Sequence, residues 1–304
     1  KTCTETPPVN QTDKAMFSGY AMMLLTALIW GFAFVAQKSS MEVMGPFTFN
    51  TTRFILGASC LVLIFPLFKH RGGKLGKAGW RRASWMGLFL FLGSITQQIG
   101  LVSTTAGKAA FITGLYIVLV PILLSLFGQA LSRLIWLAVA IGIAGLYLLS
   151  IPDVAIMPDR GDLWVLASAL FFALHIIVIG RASVKHDALR LSIAQFYICA
   201  ALSAVGMWIF ESPTITAIMA GGAEILYAGV LSVGIAYTLQ VFAQIRVPAH
   251  TAALVLSLET VFGAIGGVWL LGEDMTVRML IGATLMMTAI VIAQLKPSTQ
   301  QATT

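Results

Sequence analysis

Long apolar runs alternate with short polar segments along most of the chain. An α-helix needs roughly 20 consecutive apolar residues to cross a bilayer. Runs of about this length lie at 16–37, 46–68, 83–103, 107–128, 131–150, 161–181, 189–210, 222–244, 248–271 and 276–295. The segments between them carry turn residues and charges, and none is long enough to form a soluble domain. The pattern therefore predicts ten membrane-spanning helices, called spans 1 to 10 here.

Composition supports an all-α polytopic membrane protein. Hydrophobic residues make up 58% of the 304 residues and charged residues only 10%, whereas soluble domains contain roughly 25% charged residues. The net charge of +7 would suggest nucleic acid binding in a soluble protein, but here the basic residues cluster between apolar runs, so no nucleic acid partner is expected. The three cysteines have no metal-ligand spacing, and no cofactor or metal is predicted.

The distribution of lysine and arginine predicts the orientation in the membrane. If the N-terminus is cytoplasmic, the cytoplasmic segments hold 14 of the 19 basic residues, and the opposite side holds four. Cytoplasmic segments of membrane proteins are enriched in these residues. We therefore expect a multi-pass protein of the cell inner (plasma) membrane, with a cytoplasmic N-terminal tail at 1–15 and a cytoplasmic C-terminal tail at 296–304.

The two halves of the chain resemble each other. TALIW (26–30) aligns with SALFF (168–172) at an offset of 142 residues, and AGKAAF (106–111) aligns with AHTAAL (249–254) at an offset of 143. These matches predict one five-helix unit at 16–150 and a second at 151–295. Because each unit has an odd number of spans, the second unit enters the membrane from the opposite face. Inverted repeats of this kind are typical of transporters, whose substrate sites lie near the membrane midplane.

Several segments resemble the drug/metabolite transporter superfamily in its ten-helix EamA-type branch. They are ALIWGFAFVAQK (27–38), TRFILGA (52–58), QQIGLVSTTAGKAAFITGLYIVLVPIL (97–123) and SLETVFGAIGGVWLLGEDMT (257–276). The resemblance implies a secondary transporter that works by alternating access around a cavity lined by spans 1, 3, 4, 6, 8 and 9. It favours export of a small metabolite, with amino acids or related compounds preferred. This chain departs from the family pattern where Thr260, rather than proline, follows Glu259.

Glu259 is the acidic residue near the middle of span 9. Burial favours the neutral form of a carboxylic acid, so such a group can accept a proton or bind a cation during transport. The alternative is a structural role, in which Glu259 pairs with Arg53 or accepts hydrogen bonds from hydroxyl groups. Its repeat counterpart at an offset of 143 is Tyr116, and we expect the two side chains to face each other.

Two further ionisable residues lie within the predicted spans. Arg53 in span 2 can hold a substrate carboxylate or phosphate through two hydrogen bonds, or it can tie helices together. His175 in span 6 is either a hydrogen-bonding link between helices or a proton relay. Both residues lie within apolar spans, where a charged side chain is costly. We therefore expect both to line a polar cavity inside the bundle.

Glutamine and aromatic residues complete the predicted substrate site. Gln97 and Gln240 recur at the same place in the two units, and amide groups suit neutral or zwitterionic solutes. Trp30 and Tyr237 are further candidate lining residues. The aromatic residues that can form a wall for a flat substrate are Trp30, Phe34, Phe111 and Phe172.

Other functional classes find less support. The chain has no GxxxxGK[ST] phosphate loop and no HExxH or GxSxG motif, so neither an ATP-driven pump nor an enzyme is predicted. A flippase of a lipid-linked precursor, or an uncoupled facilitator or channel, remains an alternative to the exporter. Membrane lipids and a small-molecule substrate are the expected partners. The Gly263-xxx-Gly267 spacing allows a homodimer, and Pro121 predicts a kink in span 4.

Overall fold

The computed structural model describes residues 9–67, 74–150, 160–271 and 276–295. These residues form helices joined by short turns. The α-helices are α1 (Val9–Ser40), α2 (Pro46–Ile64), α3 (Lys77–Ser103), α4 (Ala106–Gly114), α5 (Tyr116–Leu126), α6 (Arg133–Ser150), α7 (Arg160–Ser183), α8 (Ala188–Phe210), α9 (Ile215–Ala220), α10 (Gly222–Leu226), α11 (Thr238–Ala243), α12 (Ala249–Leu256), α13 (Glu259–Leu271) and α14 (Val277–Gln294). A 3₁₀ turn (Phe65–Leu67) extends α2, and a π-helical segment (Tyr227–Tyr237) joins α10 to α11.

The predicted all-helical, polytopic membrane architecture is confirmed. Within the described residues, nine helical stretches are long and apolar enough to cross a bilayer, and Arg133–Leu149 forms a shorter apolar helix at the position of span 5. Span 4 consists of α4 and α5, span 8 of α10, the π-helical segment and α11, and span 9 of α12 and α13. The tail at 296–304 and the basic segment at 69–73 lie outside the described residues, whereas α1 begins within the predicted N-terminal tail, at Val9.

Contacts between the two halves occur in pairs related by the repeat offset. A Cβ atom added at Gly229 would lie 2.9 Å from the Cβ of Leu56, and one added at Gly87 would lie 2.7 Å from the Cβ of Ile198. Positions 56 and 198 are 142 residues apart, as are positions 87 and 229. Small residues therefore allow span 2 to approach span 8, and span 7 to approach span 3, in the same manner. Inversion of the second unit stays a prediction.

Spans 4 and 9 are both interrupted at equivalent positions. Leu115 separates α4 from α5, and Ser257 and Leu258 separate α12 from α13. Position 258 follows position 115 by 143 residues, which is the repeat offset. The Ser257 carbonyl accepts hydrogen bonds from the Thr260 hydroxyl at 2.7 Å and from the Thr260 backbone nitrogen at 3.2 Å, so this carbonyl is satisfied within the break. Each break therefore lies near the middle of a span.

The structure corrects one expectation about helix continuity. Glu259 was expected near the middle of one helix, but it is the first residue of α13. Pro121 lies inside α5, six residues beyond the interruption at Leu115, and the kink expected there stays a prediction. The interruptions of the two spans lie at repeat-equivalent positions, and neither is at a proline. Gly263, expected to support a dimer, lies beside Gly31 of span 1 in the same chain.

The ends of the helices define two sides of the bundle. On the side predicted to be extracellular, here the outer side, Lys108 forms an ion pair with Asp162. Thr104 donates to Asp162 at 2.7 Å, and the Lys38 ammonium donates to the Leu101 carbonyl at 2.8 Å. These contacts join spans 1, 3, 4 and 6 in one polar layer. The opposite side, here the inner side, carries the turns at 74–76, 127–132, 184–187 and 244–248.

Candidate functional site

A cavity lies between the two halves of the bundle. It is lined by Trp30, Phe34, Gln37, Arg53, Gln97, Thr113, Tyr116, Phe172, His175, Ile176, Ser232, Tyr237, Gln240 and Glu259. Its volume is about 30 Å³, which is enough for one or two water molecules. An organic solute therefore requires the surrounding helices to move apart.

All eight residues predicted for the substrate site line this one cavity. They come from spans 1, 2, 3, 4, 6, 8 and 9, and so from both units. Their binding of a substrate stays a prediction. Phe34 and Phe172 of the proposed aromatic wall also line the cavity, whereas Phe111 packs beside the apolar cluster around Phe34 and Leu101.

Glu259 is held at the break in span 9. It is 3% exposed, and its carboxylate accepts a hydrogen bond of 2.9 Å from the Tyr116 hydroxyl. As the first residue of α13, it also lies at the positive end of a helix dipole, where a negative charge is favoured. The break, the dipole and the tyrosine together explain how an apolar span accommodates an acid.

Arg53 forms no ion pair with Glu259 in the structure. One guanidinium nitrogen donates to the side-chain oxygen of Gln37 at 2.9 Å, and the guanidinium lies 5.0 Å and 5.1 Å from the ring centroids of Phe49 and Phe54. Its Nε atom is buried and has no hydrogen-bond partner in the described part of the chain. Arg53 is thus a positioned cation at the cavity with hydrogen-bonding capacity to spare.

Tyr237 is the centre of an aromatic group beside the cavity. Its ring lies 4.5 Å from Trp30 and 6.0 Å from His175, measured between centroids. The indole nitrogen of Trp30 donates to the Ser232 carbonyl at 3.4 Å, which links span 1 to the π-helical segment of span 8. Aromatic faces of this kind attract cations such as an ammonium group.

His175 forms a link between neighbouring helices. Its Nε2 atom lies 2.8 Å from the side-chain oxygen of Gln195, the repeat counterpart of Arg53. Since the acceptor is an amide oxygen, the imidazole nitrogen is the donor. The amide nitrogen of Gln195 has no partner among the described residues. This geometry favours the interhelical role of His175 over the proton relay.

The two repeated glutamines have different environments. Gln97 donates to the Thr113 hydroxyl at 2.9 Å, which fixes its amide across spans 3 and 4. Gln240 is 1% exposed, and its side-chain oxygen has no hydrogen-bond partner within the described residues. A buried amide oxygen without a partner is costly, so Gln240 is available to accept a hydrogen bond from a bound solute or water.

Four lining residues were not predicted from the sequence: Gln37, Thr113, Ile176 and Ser232. Gln37 is the important omission because it positions Arg53. Its spacing from Trp30 and Phe34, at i+7 and i+3, places the three on one helical face. Within the described residues, no group of three or more histidine, cysteine or acidic side chains is arranged to hold a metal ion.

Comparison with known sequences identifies the family. The sequence profile of the EamA-like transporter family matches residues 17–151 and again residues 159–294. The chain belongs to the EamA-like transporter family. The two matches together cover nearly the whole chain, and each covers a little less than half of it. The chain is therefore a membrane transporter protein built from two EamA units.

Similar proteins support the membership. An uncharacterized transporter of Archaeoglobus fulgidus is 33% identical over 279 residues, which cover 90% of this chain and 85% of that protein. A WAT1-related chloroplastic protein of Arabidopsis thaliana is 30% identical over 49% of this chain and 36% of its own length. A solved crystal structure with 18% identity superposes with a TM-score of 0.75 over 91% of this chain and 96% of the other. That likeness shows that the two chains share a fold.

Proposed function

We propose that this EamA-like transporter exports small metabolites of the amino acid class by alternating access. One observation carries the proposal: Arg53 and Glu259 line the same cavity without pairing with each other. An amino acid zwitterion carries a carboxylate and an ammonium group. The guanidinium of Arg53 suits the carboxylate, and the carboxylate of Glu259 suits the ammonium group.

The neutral and aromatic lining groups suit the same class of solute. Trp30 and Tyr237 offer aromatic faces next to the charged residues, where they can accommodate an apolar or aromatic side chain. Gln240 offers an amide oxygen without a partner among the described residues. Such a cavity combines two ionisable side chains with apolar surface and a few polar groups, as is common for small-molecule sites.

Alternating access is supported by the small volume of the cavity and by the layer of contacts on the outer side. In this proposal the Lys108–Asp162 ion pair and the hydrogen bonds beside it limit access to the cavity from the outer side. For export, these contacts would open after a solute has bound from the inner side. We place the protein in the cytoplasmic membrane with both termini inside, because the basic residues cluster in the inner segments.

Glu259 is the proposed coupling residue. When it is ionised, it binds an ammonium group, and when it is protonated, it no longer does. A proton entering from the outer side would therefore release the solute and support exchange of a proton for an exported molecule. The Tyr116 hydroxyl, which also lines the cavity, donates a hydrogen bond to Glu259 and stabilises its ionised form.

The proposal is tested by uptake of labelled amino acids, nucleobases and sugars into proteoliposomes, with and without an imposed proton gradient. Wild type is compared with Glu259→Gln, and Glu42→Gln is the matched control because Glu42 is exposed. We expect gradient-dependent uptake of amino acids that is lost in Glu259→Gln and kept in the control. An uptake rate that does not depend on the proton gradient and is unchanged in Glu259→Gln would instead identify a facilitator. No uptake of any of these solutes would contradict the substrate class and favour a lipid-linked precursor.

A further inference from the structure

A second, wider opening lies at the surface of the bundle on the inner side. It is a groove of about 660 Å³ between the end of α2, the beginning of α3 and the first half of α8. Its lining includes Lys74, Phe65, Trp80, Arg190, Ile193 and Tyr197. The groove shares no lining residue with the central cavity, so it is a separate feature of the molecule.

Charge is concentrated at one end of this groove. Lys74 and Arg190 are its charged lining residues, and both are cations. The guanidinium of Arg190 packs 5.1 Å from the centroid of the Phe65 ring, which fixes its position. Its Nε atom is buried and has no hydrogen-bond partner in the described part of the chain. The groove therefore presents a positioned donor and a second positive charge without a carboxylate in its lining.

The rest of the groove is apolar and follows the axis of α8. Tyr197 lies seven residues beyond Arg190, and Ala201 lies eleven beyond it. At 1.5 Å per residue these positions are about 10 Å and 16 Å farther along the axis of α8 than the backbone of Arg190. A ligand that fits must have an anionic end followed by a long apolar part. Free phosphate satisfies the first requirement and fails the second.

The start of α8 has an acid of its own. Asp187, three residues before Arg190, accepts a hydrogen bond of 2.8 Å from the Arg190 backbone nitrogen, and it is not among the residues that line the groove.

We propose that this groove binds an anionic phospholipid, with its headgroup phosphate on Arg190 and Lys74 and an acyl chain along Ile193 and Tyr197. A guanidinium and a phosphate form charge-assisted hydrogen bonds. Basic pockets between membrane helices on the cytoplasmic side bind anionic headgroups in this way. Trp80, in the first turn of α3, lines the same groove, and tryptophan is enriched at membrane interfaces. The lipid would brace α2, α3 and α8 against one another.

The test uses the full-length protein in detergent. Phosphatidylglycerol, phosphatidylcholine with the same acyl chains, and soluble glycerol phosphate are titrated separately, and binding is followed by native mass spectrometry and by the melting temperature. We expect phosphatidylglycerol to remain bound and to raise the melting temperature. Phosphatidylcholine should bind at least ten-fold more weakly, and glycerol phosphate should not bind. Equal binding of the two lipids, or binding of glycerol phosphate comparable with that of phosphatidylglycerol, would overturn the proposal.

Three variants locate the lipid. Arg190→Gln removes the positioned cation, and we expect a loss of at least ten-fold in phosphatidylglycerol affinity. Lys185→Gln is the matched control, because it removes one exposed positive charge from the same side outside the groove. Ala201→Trp fills the apolar end at an exposed position and changes no charge, so it tests the acyl chain even if Arg190→Gln does not fold. Wild-type affinity in Ala201→Trp, or equal losses in Lys185→Gln and Arg190→Gln, would rule the site out.

Discussion

The hydroxyl of Tyr116 donates a hydrogen bond of 2.9 Å to the carboxylate of Glu259, although 143 residues separate them in the chain. Each of the two residues directly follows the break in its span, and the separation equals the repeat offset. Equivalent positions of the two units therefore meet at the centre of the bundle. The acid lies on one unit, and the group that stabilises its charge lies on the other.

We predict that Tyr116→Phe lowers transport and stability through Glu259. A hydrogen bond to a charged group contributes about 1.5–3 kcal/mol, so the single variant should lower the free energy of unfolding by an amount of that order. In a Glu259→Gln background the same substitution should cost much less, because the charge has been removed. A double-mutant cycle on melting temperature and on uptake measures the difference. Strictly additive effects would contradict the coupling. Tyr147→Phe, at an exposed tyrosine, is the control.

We predict that the guanidinium of Arg53 binds the substrate carboxylate. Wild type should prefer an amino acid over the amine that lacks its carboxylate, because the guanidinium would lose its partner. In Arg53→Gln this preference should fall by at least ten-fold, corresponding to about 1.4 kcal/mol or more. Gln37→Leu should produce a smaller loss, since it removes the acceptor that positions Arg53. Competition of each compound against a labelled substrate measures the preference. An unchanged preference in Arg53→Gln, with Arg81→Gln as the exposed control, would exclude this role.

Close approach of spans 1 and 9 gives a prediction about packing. A Cβ atom added at Gly31 would lie 2.7 Å from the Glu259 carbonyl oxygen and 2.6 Å from the Cβ of Phe262. Gly31→Ala should therefore force the two spans apart, at a cost of about 1–3 kcal/mol, and reduce transport. Gly107→Ala is the matched control, because nothing lies within 4 Å of the added atom. The melting temperatures of the two variants are compared by thermal unfolding. Equal melting temperatures would show that spans 1 and 9 are not tightly packed at Gly31.

The contacts on the outer side predict a change in accessibility. Asp162→Asn removes the charge that pairs with Lys108, so the outer layer should open more often. We expect a cysteine introduced at Thr113, in an otherwise cysteine-free protein, to react faster with an impermeant thiol reagent added outside. The rate should rise several-fold over the same cysteine with Asp162 intact.

Glu42→Gln provides the control for this accessibility experiment, since Glu42 is exposed on the same side. An unchanged labelling rate in Asp162→Asn would show that these contacts do not limit access to the cavity. Faster labelling in the Glu42→Gln control as well would indicate a general loss of stability rather than opening of a specific layer.

The sequence predicted the spans and the meeting of Tyr116 with Glu259 because both depend on long-range regularities. Apolar runs of about 20 residues have few alternatives in a chain of this composition, and a constant repeat offset relates positions even when their residues differ. The breaks at Leu115 and at Ser257–Leu258 were not predicted because leucine and serine are not strong helix breakers. Their position depends on packing between units and on hydroxyl groups that bond to nearby carbonyls.

Gln37 was missed for a different reason. It is followed by Lys38 near the end of span 1, and such a pair is typical of the membrane interface. The structure shows instead that Gln37 is 5% exposed and faces Arg53, whereas Lys38 reaches the outer carbonyls. An α-helix turns by about 100° per residue, so two adjacent polar side chains can face different surroundings. Helical-face spacing from Trp30 and Phe34 was the available signal.

The pairing of Tyr116 with Glu259 also bears on how such a bundle can be assembled. A homodimer made from two copies of the first unit would place tyrosine against tyrosine and would have no acid at its centre. A homodimer of the second unit would place two carboxylates against each other, and their repulsion would prevent both from ionising. Two units that have diverged at this position hold one acid beside one neutral donor. The difference between the halves is therefore what gives this centre a single acid with a hydrogen-bond donor of its own.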